Sequence, residues 1–205
     1  MEHLIVFTRY PEPGQTKTRL IPALGIEGAA KLHRQMTEKA IATVEKLQEL
    51  RPISTEIKFT GTTLSQMQDW LGCHLCYNPQ VGGNLGERMS EAFQSAFNRK
   101  YRSVVMIGSD CPAITSHILS QAFQLLQQFD IVLGPATDGG YYLIGLSRFI
   151  PEIFEGVNWG TELVWKQTIS ICHHLNIAVA NLTILTDIDR PEDLEKLTDP
   201  ISEII

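Results

Sequence analysis

The stretch Ser103-Val104-Val105-Met106-Ile107-Gly108-Ser109-Asp110-Cys111-Pro112 sets an unbroken apolar run against a glycine, a carboxylate and a proline. Such a run, bounded by turn residues, predicts a buried strand that stops at Gly108 and leaves Asp110 at its polar exit. Downstream, Ile118, Ala122, Leu125 and Leu126 recur at helical spacing, and Ile131-Val132-Leu133 closes on Gly134-Pro135 as another buried strand. A strand, a polar loop, a helix and a strand in this order are the unit of a parallel sheet with crossover helices.

The same unit extends in both directions. Leu4 to Phe7 predicts an opening strand, and Ile26, Ala29, Leu32, Met36, Ala40, Val44 and Leu47 predict a helix from Ile26 to Leu50 with Gly25 just outside it. Thr55 to Thr60 and Cys73 to Tyr77 read as strands, Asn78 to Gly86 as a loop, and Met89, Phe93, Ala96 and Phe97 as one face of the next helix. Later strands are expected at Tyr141–Leu146 and Ile177–Leu185, with a helix over Glu162–Leu175 and a short one near Pro191. The expectation is one α/β domain over residues 1–205, with a single, mostly parallel (mixed) sheet and helices on both faces.

Composition narrows the function. Of 205 residues 43% are apolar and 20% charged, which suits a soluble globular chain. Lys plus Arg number 17 against 23 Asp plus Glu, a formal charge of −6, and no basic cluster offers nucleic acid a footprint. No apolar stretch approaches the roughly 20 residues of a membrane span, and the first residues carry no secretory signal, so a cytoplasmic location is expected. Four cysteines at 73, 76, 111 and 172 suit a reducing compartment and are expected to stay thiols.

Ligands of open α/β sheets sit beyond the carboxyl ends of strands, and five strand exits carry unusual residues. Thr8 to Leu20 joins Gly14 to Arg9, Lys17 and Arg19, a cradle in which the cations neutralise phosphate and backbone N–H groups approach it, or alternatively a solvated basic loop. Gly82-Gly83-Asn84-Leu85-Gly86-Glu87-Arg88 places glycines before a helix, where free N–H groups favour an anion or a base carbonyl; a turn with a cap is the other reading. Asp110 is the best candidate for holding Mg²⁺ or Mn²⁺, since magnesium takes one or two carboxylates and completes its shell with water and phosphates. Asp138-Gly139-Gly140-Tyr141-Tyr142 offers a carboxylate for an acceptor hydroxyl, with tyrosines that stack on a ring or simply pack. Asp187 and Asp189, alternating in extended chain, supply a candidate second metal ligand; Asp189 with Glu192 also fits a capping box. The CxxC at Cys73–Cys76 lacks a second pair, and His173-His174 is assigned to the surface at a helix end.

These segments in this order resemble the bacterial DUF2064 family, glycosyltransferase-A-like proteins related to molybdenum-cofactor and phospholactate nucleotidyltransferases. The similarity runs through Pro13-Gly14 with Lys17-Thr18-Arg19-Leu20, Gly83 with Leu85-Gly86-Glu87-Arg88-Met89, and Gly108-Ser109-Asp110-Cys111-Pro112. It continues through Gly134-Pro135 with Asp138-Gly139-Gly140-Tyr141, Trp159-Gly160-Thr161, and Asp187-Ile188-Asp189 with Pro191-Glu192-Asp193-Leu194. Asn84 stands where the family usually has Asp and Arg9 where it often has Lys, and Asp110-Cys111-Pro112 keeps one acid of the Asp-x-Asp pair of sugar transferases.

The resemblance implies a nucleotide-diphospho-sugar transferase fold, a nucleotide beside the first strand and a divalent metal at Asp110. On this basis Thr8, Arg9, Gly14, Lys17, Arg19, Gly83, Asn84, Leu85 and Arg88 are expected to bind nucleotide, and Asp110, Asp187 and Asp189 metal. Asp138, Gly139, Gly140, Tyr141, Trp159 and Thr161 are expected on the acceptor side. Asp138 is the expected base, and Lys17 and Arg19 stabilise charge on the leaving group. Glycosyl transfer from a nucleotide-diphospho-sugar leads; nucleotidyl transfer with pyrophosphate release and a catalytically silent nucleotide-binding domain are the alternatives.

Overall fold

The computed structural model describes residues 1–197. Seven strands, β1 (Glu2–Arg9), β2 (Ile53–Thr60), β3 (Tyr77–Pro79), β4 (Ser103–Gly108), β5 (Ile131–Pro135), β6 (Tyr141–Leu146) and β7 (Val179–Asn181), form one sheet in the order β3-β2-β1-β4-β6-β5-β7. β6 runs antiparallel to both its neighbours, β4 and β5, and the remaining pairs are parallel. Residues 136–140 are too short a link for a parallel crossover, which needs about a dozen residues or more, so β6 returns as a hairpin arm.

Helices α1 (Ile21–Leu50), α2 (Leu64–Leu71) and α4 (Ser116–Leu125) cover one face of the sheet, and α3 (Leu85–Asn98) and α5 (Val164–His174) cover the other. Alternation along the strands explains both cores. Leu4, Val6, Val105 and Ile107 meet Val44, Leu47 and Phe123, while Ile5, Phe7, Val104 and Met106 meet Met89, Phe93 and Cys172. Strands buried on both sides need continuous apolar runs, which is what β1, β4 and β5 have. Gly25 breaks α1 near its start: its φ of 71° is left-handed, so the long regular segment begins at Ile26 as the spacing predicts.

Several expectations need correction. Cys73 to Cys76 is a turn and the strand begins only at Tyr77; α2 was not foreseen. The strand expected over Ile177–Leu185 is reduced to β7, because it pairs only with Ile131–Leu133, plus one bridge from Ala136 to Leu185. The helix marked by Ile118, Ala122, Leu125 and Leu126 starts at Ser116 under a Thr115 cap. Near Pro191 the cap is not Asp189 with Glu192: Asp193 accepts the backbone N–H groups of Asp189 and Arg190. The cysteines are free thiols, and His173 and His174 lie exposed at the end of α5. Among the described residues no helix is long and apolar enough to cross a membrane.

Candidate active site

β1 sits between β2 and β4, and the chain leaves it through α1 on one face but reaches β4 through α3 on the other. The connections that follow β1 and β4 therefore part from each other, and a cleft of about 450 Å³ opens at the carboxyl ends of these strands. Arg9, Leu85, Arg88, Asp110, Asp138, Tyr141, Trp159, Thr161, Asp187 and Asp189 line it. A second recess of about 350 Å³ adjoins it under the loop 15–19 and shares Arg9, Arg19, His33, Asp110 and Asp189.

Four carboxylates converge on this cleft. Asp110 is tethered through its carbonyl, which accepts Ile188 N–H at 2.9 Å and so brings the segment 187–189 beside the β4 exit. Lys17, in a left-handed conformation at φ 50°, threads between them: its Nζ lies 2.9 Å from Asp110 Oδ1 and 2.5 Å from Asp189 Oδ1, and donates to Ile188 O at 2.8 Å. Burial alone would lower the Lys17 ammonium, but the charges of Asp110 and Asp189 outweigh it and raise the group. Burial would raise Asp110, yet Lys17 and His33 hold it well below the usual carboxylate range. Asp187 lacks such help: burial and then Asp110 and Asp138 push its carboxyl up to about 7, against the opposing pull of Lys17. One oxygen of Asp187 is buried without a hydrogen-bond partner.

This donor set fits a hard divalent cation. Carboxylate oxygens are the right chemistry, Lys17 pairs with Asp110 and Asp189 and Arg19 lies 3.9 Å from Asp189, and Asp187 keeps a buried oxygen that no hydrogen bond satisfies. Among the described residues no cluster of three or more His, Cys, Asp or Glu converges as a metal cage. The protein would thus contribute one or two carboxylates, from Asp110 and Asp187, and leave the other positions to water and phosphate. Next to them, burial and Asp187 push the Cys111 thiol up to about 12.

The expected nucleotide residues divide. Arg9 and Arg19 are exposed at the mouth, Arg88 is held by Gln80 at 3.0 Å, and Leu85 forms the wall. Thr8 borders the cleft with its hydroxyl turned inward, 3.1 Å from both Thr37 and Ser109. Gly14, Gly83, Asn84 and Gly139 line neither recess. Gly14 shapes its turn at φ 77°, and Asn84 is the cap of α3, its Oδ1 accepting Glu87 N–H while Glu87 accepts Gly83 N–H. Nor does Gly86 admit a nucleotide: a Cβ there would stand 2.2 Å from Trp159 Nε1, so the close contact belongs to the protein itself. Lys17, expected to face phosphate, spends its charge on carboxylates.

On the acceptor side Asp138 is exposed and accepts Gly140 N–H at 2.9 Å through one oxygen. Tyr141 packs rather than stacks on a ligand: its ring meets Trp159 edge-on at 6.3 Å, and burial raises its phenol. Gly139 donates to Ala136 O and accepts from Trp165 N–H, and Thr161 donates to Asn158 O, so both hold the loop that carries Trp159. The sequence reading missed His33, Gln80 and Ser109; His33 and Ser109 are buried polar residues among apolar neighbours, a weak signal that nonetheless exists.

Residues 43–161 match the family described as "uncharacterized protein conserved in bacteria (DUF2064)". No curated protein matches the sequence. Among solved structures, a protein of Desulfovibrio desulfuricans G20 provisionally described as a nucleotide-diphospho-sugar transferase is 33% identical, with a TM-score of 0.91 over 98% of this chain and 87% of its own. CMP:2-keto-3-deoxy-manno-octonic acid synthetase complexed with CTP is 8% identical, with a TM-score of 0.59 over 100% of this chain and 99% of its own. Glucosyl-3-phosphoglycerate synthase from Mycobacterium tuberculosis, in complex with Mn²⁺, UDP and glucosyl-3-phosphoglycerate, is 12% identical, with a TM-score of 0.59 over 96% of this chain and 75% of its own. At those two identities the likeness carries the fold alone, the GT-A-like architecture of nucleotide-diphospho-sugar transferases. With the family matched over more than half its length and a 33% identical structure superposing on nearly all of it, the chain belongs to the DUF2064 family.

Proposed function

We propose that this protein is a transferase acting on a nucleotide-activated substrate, and within that class a glycosyltransferase that takes a nucleotide-diphospho-sugar with Mg²⁺ or Mn²⁺ held at Asp110. The observation that carries the reading is the Asp187 carboxylate, which lines the cleft beside Asp110 with one buried oxygen that has no hydrogen-bond partner, while Arg9 and Arg19 stand at the mouth. A bound divalent cation would neutralise the diphosphate as a Lewis acid. Arg9 and Arg19 hold phosphate oxygens by charge-assisted hydrogen bonds, and Arg88, braced by Gln80, guards the nucleotide end. Lys17 fixes Asp110 and Asp189 rather than the phosphate. Asp138 has one oxygen on Gly140 N–H and a second left to accept the proton of an acceptor hydroxyl. The resemblance to sugar-nucleotide enzymes, the 33% identical structure foremost, supports the same class.

A second reading has its own observation. Asp110 is followed by Cys111 and Pro112, without the second acid of an Asp-x-Asp pair, and three arginines border the cleft. That favours nucleotidyl transfer, in which an acceptor phosphate attacks a nucleoside triphosphate and pyrophosphate leaves.

Thermal unfolding with UDP-glucose, other sugar nucleotides and the four nucleoside triphosphates, each with and without Mn²⁺, separates the readings. A ligand at about 100 times its Kd adds about 2.7 kcal/mol. A Mn²⁺-dependent shift with one sugar nucleotide, lost in Asp110→Ala and accompanied by nucleoside diphosphate release, is the expected result. A shift with triphosphates alone, with pyrophosphate release, transfers the assignment to the second reading. Binding without turnover that survives Asp110→Ala leaves a silent nucleotide-binding domain, and no shift at all removes the nucleotide site.

A further inference from the structure

The charged groups occupy only one end of the cleft. On the face of the sheet covered by α3 and α5, Phe7 of β1, Met106 of β4 and Ile144 of β6 stand on three neighbouring strands and give the cleft an apolar floor. Met106 lies two residues before the end of β4 at Gly108, so this floor is set about 7 Å below the exit that leads to Asp110. Met89 of α3, Tyr141 and Trp159 wall the chamber above it. Trp159 is held in place by the protein: its ring meets Tyr141 edge-on at 6.3 Å, stacks on Phe154 at 6.5 Å and lies against Gly86, where no side chain would fit. The six side chains carry two polar hydrogen-bonding groups, the Trp159 indole N–H turned to Gly86 and the Tyr141 hydroxyl, which is buried without a hydrogen-bond partner. A preformed, mostly apolar recess with one polar group to spare is the usual make-up of a small-molecule site.

We propose that this chamber holds the body of the acceptor, and that the acceptor is an alcohol or phenol on an apolar ring or chain rather than a sugar or another polyol. The proposal rests on the reading of the protein as a glycosyltransferase. A nucleoside diphosphate belongs at the charged end, where Arg9 and Arg19 meet its phosphates. In the chamber a base edge or a ring of hydroxyls would exchange water for a single partner, the Tyr141 hydroxyl, and each further polar atom would stay unpaired. An apolar body carries no such cost. Asp138 lines the same cleft three residues before Tyr141, so a body seated on the apolar floor has its hydroxyl at the mouth, on the side of that carboxylate. The hydroxyl gives its proton to Asp138 while its oxygen bonds to the anomeric carbon of the donor. The bond from that carbon to the diphosphate breaks, and its electron pair leaves on the nucleoside diphosphate.

Saturation-transfer NMR titrations of the full chain with benzyl alcohol, cyclohexylmethanol, glycerol and methyl glucoside test the chamber without any donor. The two apolar alcohols should bind at least about tenfold more tightly than the two polyols, the factor that one unpaired polar group commonly costs. Met89→Trp, which fills the chamber, should weaken benzyl alcohol by about tenfold or more, as hydrophobic pockets respond to a change in fit of a methylene or larger. Met89→Gln keeps the size but adds an amide, so it should narrow the gap between apolar alcohols and polyols, and it serves alone if the Trp variant does not fold. Polyols that bind as tightly as the apolar alcohols, or benzyl alcohol binding unchanged in both variants, overturn the proposal. With sugar nucleotide and Mn²⁺ added, nucleoside diphosphate release should quicken with benzyl alcohol and not with glycerol; the reverse order overturns the acceptor assignment. Selective binding of the apolar alcohols with no sugar nucleotide turned over would instead remove the glycosyltransferase reading, and the acceptor role with it, and leave the chamber as a site for apolar ligands.

Discussion

Two clusters of buried charge share this sheet, and they are built to opposite rules. In the body of β2, Glu56 is 1% exposed and is met by His3 at 3.3 Å, by Lys58 at 3.4 Å, by the Arg99 guanidinium and by Asn78 at 3.0 Å, with Lys58 reaching on to Glu91 at 3.5 Å. Burial would raise the Glu56 carboxyl, but the bonds from His3 and Arg99 and the nearby cations bring it down to about 2. At the carboxyl ends of β1 and β4 the count is reversed: acids outnumber the buried cation, and Asp187 is pushed up to about 7. Glu56, with donors on both of its oxygens, makes a closed cluster that serves packing. One that leaves an acid uncompensated, beside an open cleft, has room for a cation from outside.

Breaking the closed cluster should have the largest effect on the fold. Glu56→Ala leaves Lys58 and Arg99 without their shared counter-charge and should cost about 3–5 kcal/mol, the range for splitting a buried ion pair, as read from urea unfolding. Metal-dependent nucleotide binding should survive in the fraction that folds. A loss under about 1 kcal/mol, the level of an exposed pair, would show Glu91 or water taking over, and the contrast between the clusters would lose its first half. The open cluster should respond the other way round. Asp110→Asn should lower turnover by about 10²- to 10³-fold, as when one group that stabilises transition-state charge is removed. Its effect on stability should be smaller than that of Glu56→Ala, because Lys17 keeps Asp189 and Ile188 O. An Asp110→Asn protein with full turnover would make both clusters structural.

Titration sharpens the same contrast, since the two acids are shifted in opposite directions. Asp187 rises from an ordinary 3.8 to about 7 under burial, Asp110, Asp138 and Asp189, with Lys17 opposing. Between about pH 4 and 7 the folded chain therefore binds a proton that the unfolded chain has released, so stability falls as pH rises and the full penalty stands above 7. Glu56, lowered from 4.5 to about 2, contributes fully above pH 4.5 and loses its contribution as pH falls toward 2. Asp187→Asn should flatten the fall between pH 4 and 7 and raise Tm at pH 8, by roughly 2–4 °C for each kcal/mol recovered in a chain of this size. Mn²⁺ should do the same for the wild type at pH 8. A wild-type profile already flat from pH 4 to 7 would show Asp187 ionised without strain.

How far each region was legible follows from the distance between a residue and its partners. β1, β4 and β5 announce themselves because doubly covered strands need unbroken apolar runs. The hairpin direction of β6 was also within reach, given the short link at 136–140, but periodicity carries no direction. α2 escaped because only Met67 of its eight residues is buried, so no apolar stripe marks it. Cys73 to Cys76 imitated a strand through its mixed polar and apolar residues, though it only turns the chain into β3. In the cleft, Asp110, Asp187 and Asp189 stood out as acids at strand exits, a local signal. That Lys17 serves Asp189 instead of a phosphate depends on a contact 172 residues away, which no local pattern encodes. His33 was hidden by its helix: it falls on the apolar stripe of α1, and its polarity acquires meaning only when β1 and β4 are seen beneath it.

The smallest expected effect tests the boundary of the open region. Asn84 was assigned to the nucleotide from its place among glycines before a helix, yet its Oδ1 accepts Glu87 N–H at 2.9 Å and its Nδ2 donates to Glu87 Oε1 at 3.0 Å. Both ends of the amide are engaged in capping, and Arg88, four residues on, is the side chain that reaches the cleft. Asn84→Ala should therefore cost about 1 kcal/mol of stability, the usual loss of an N-cap, while Asn84→Asp, an equally good cap, should change it by a few tenths at most. Nucleotide affinity should follow neither change. If Asn84→Ala weakened binding tenfold while Asn84→Asp did so by charge repulsion, the amide would be a ligand contact that also caps, and the cleft would extend past Leu85 to the start of α3. Unaltered affinity in both keeps recognition with Arg9, Arg19 and Arg88, whose guanidinium groups border the cleft where the carboxylates leave a cation's charge to be shared with phosphate.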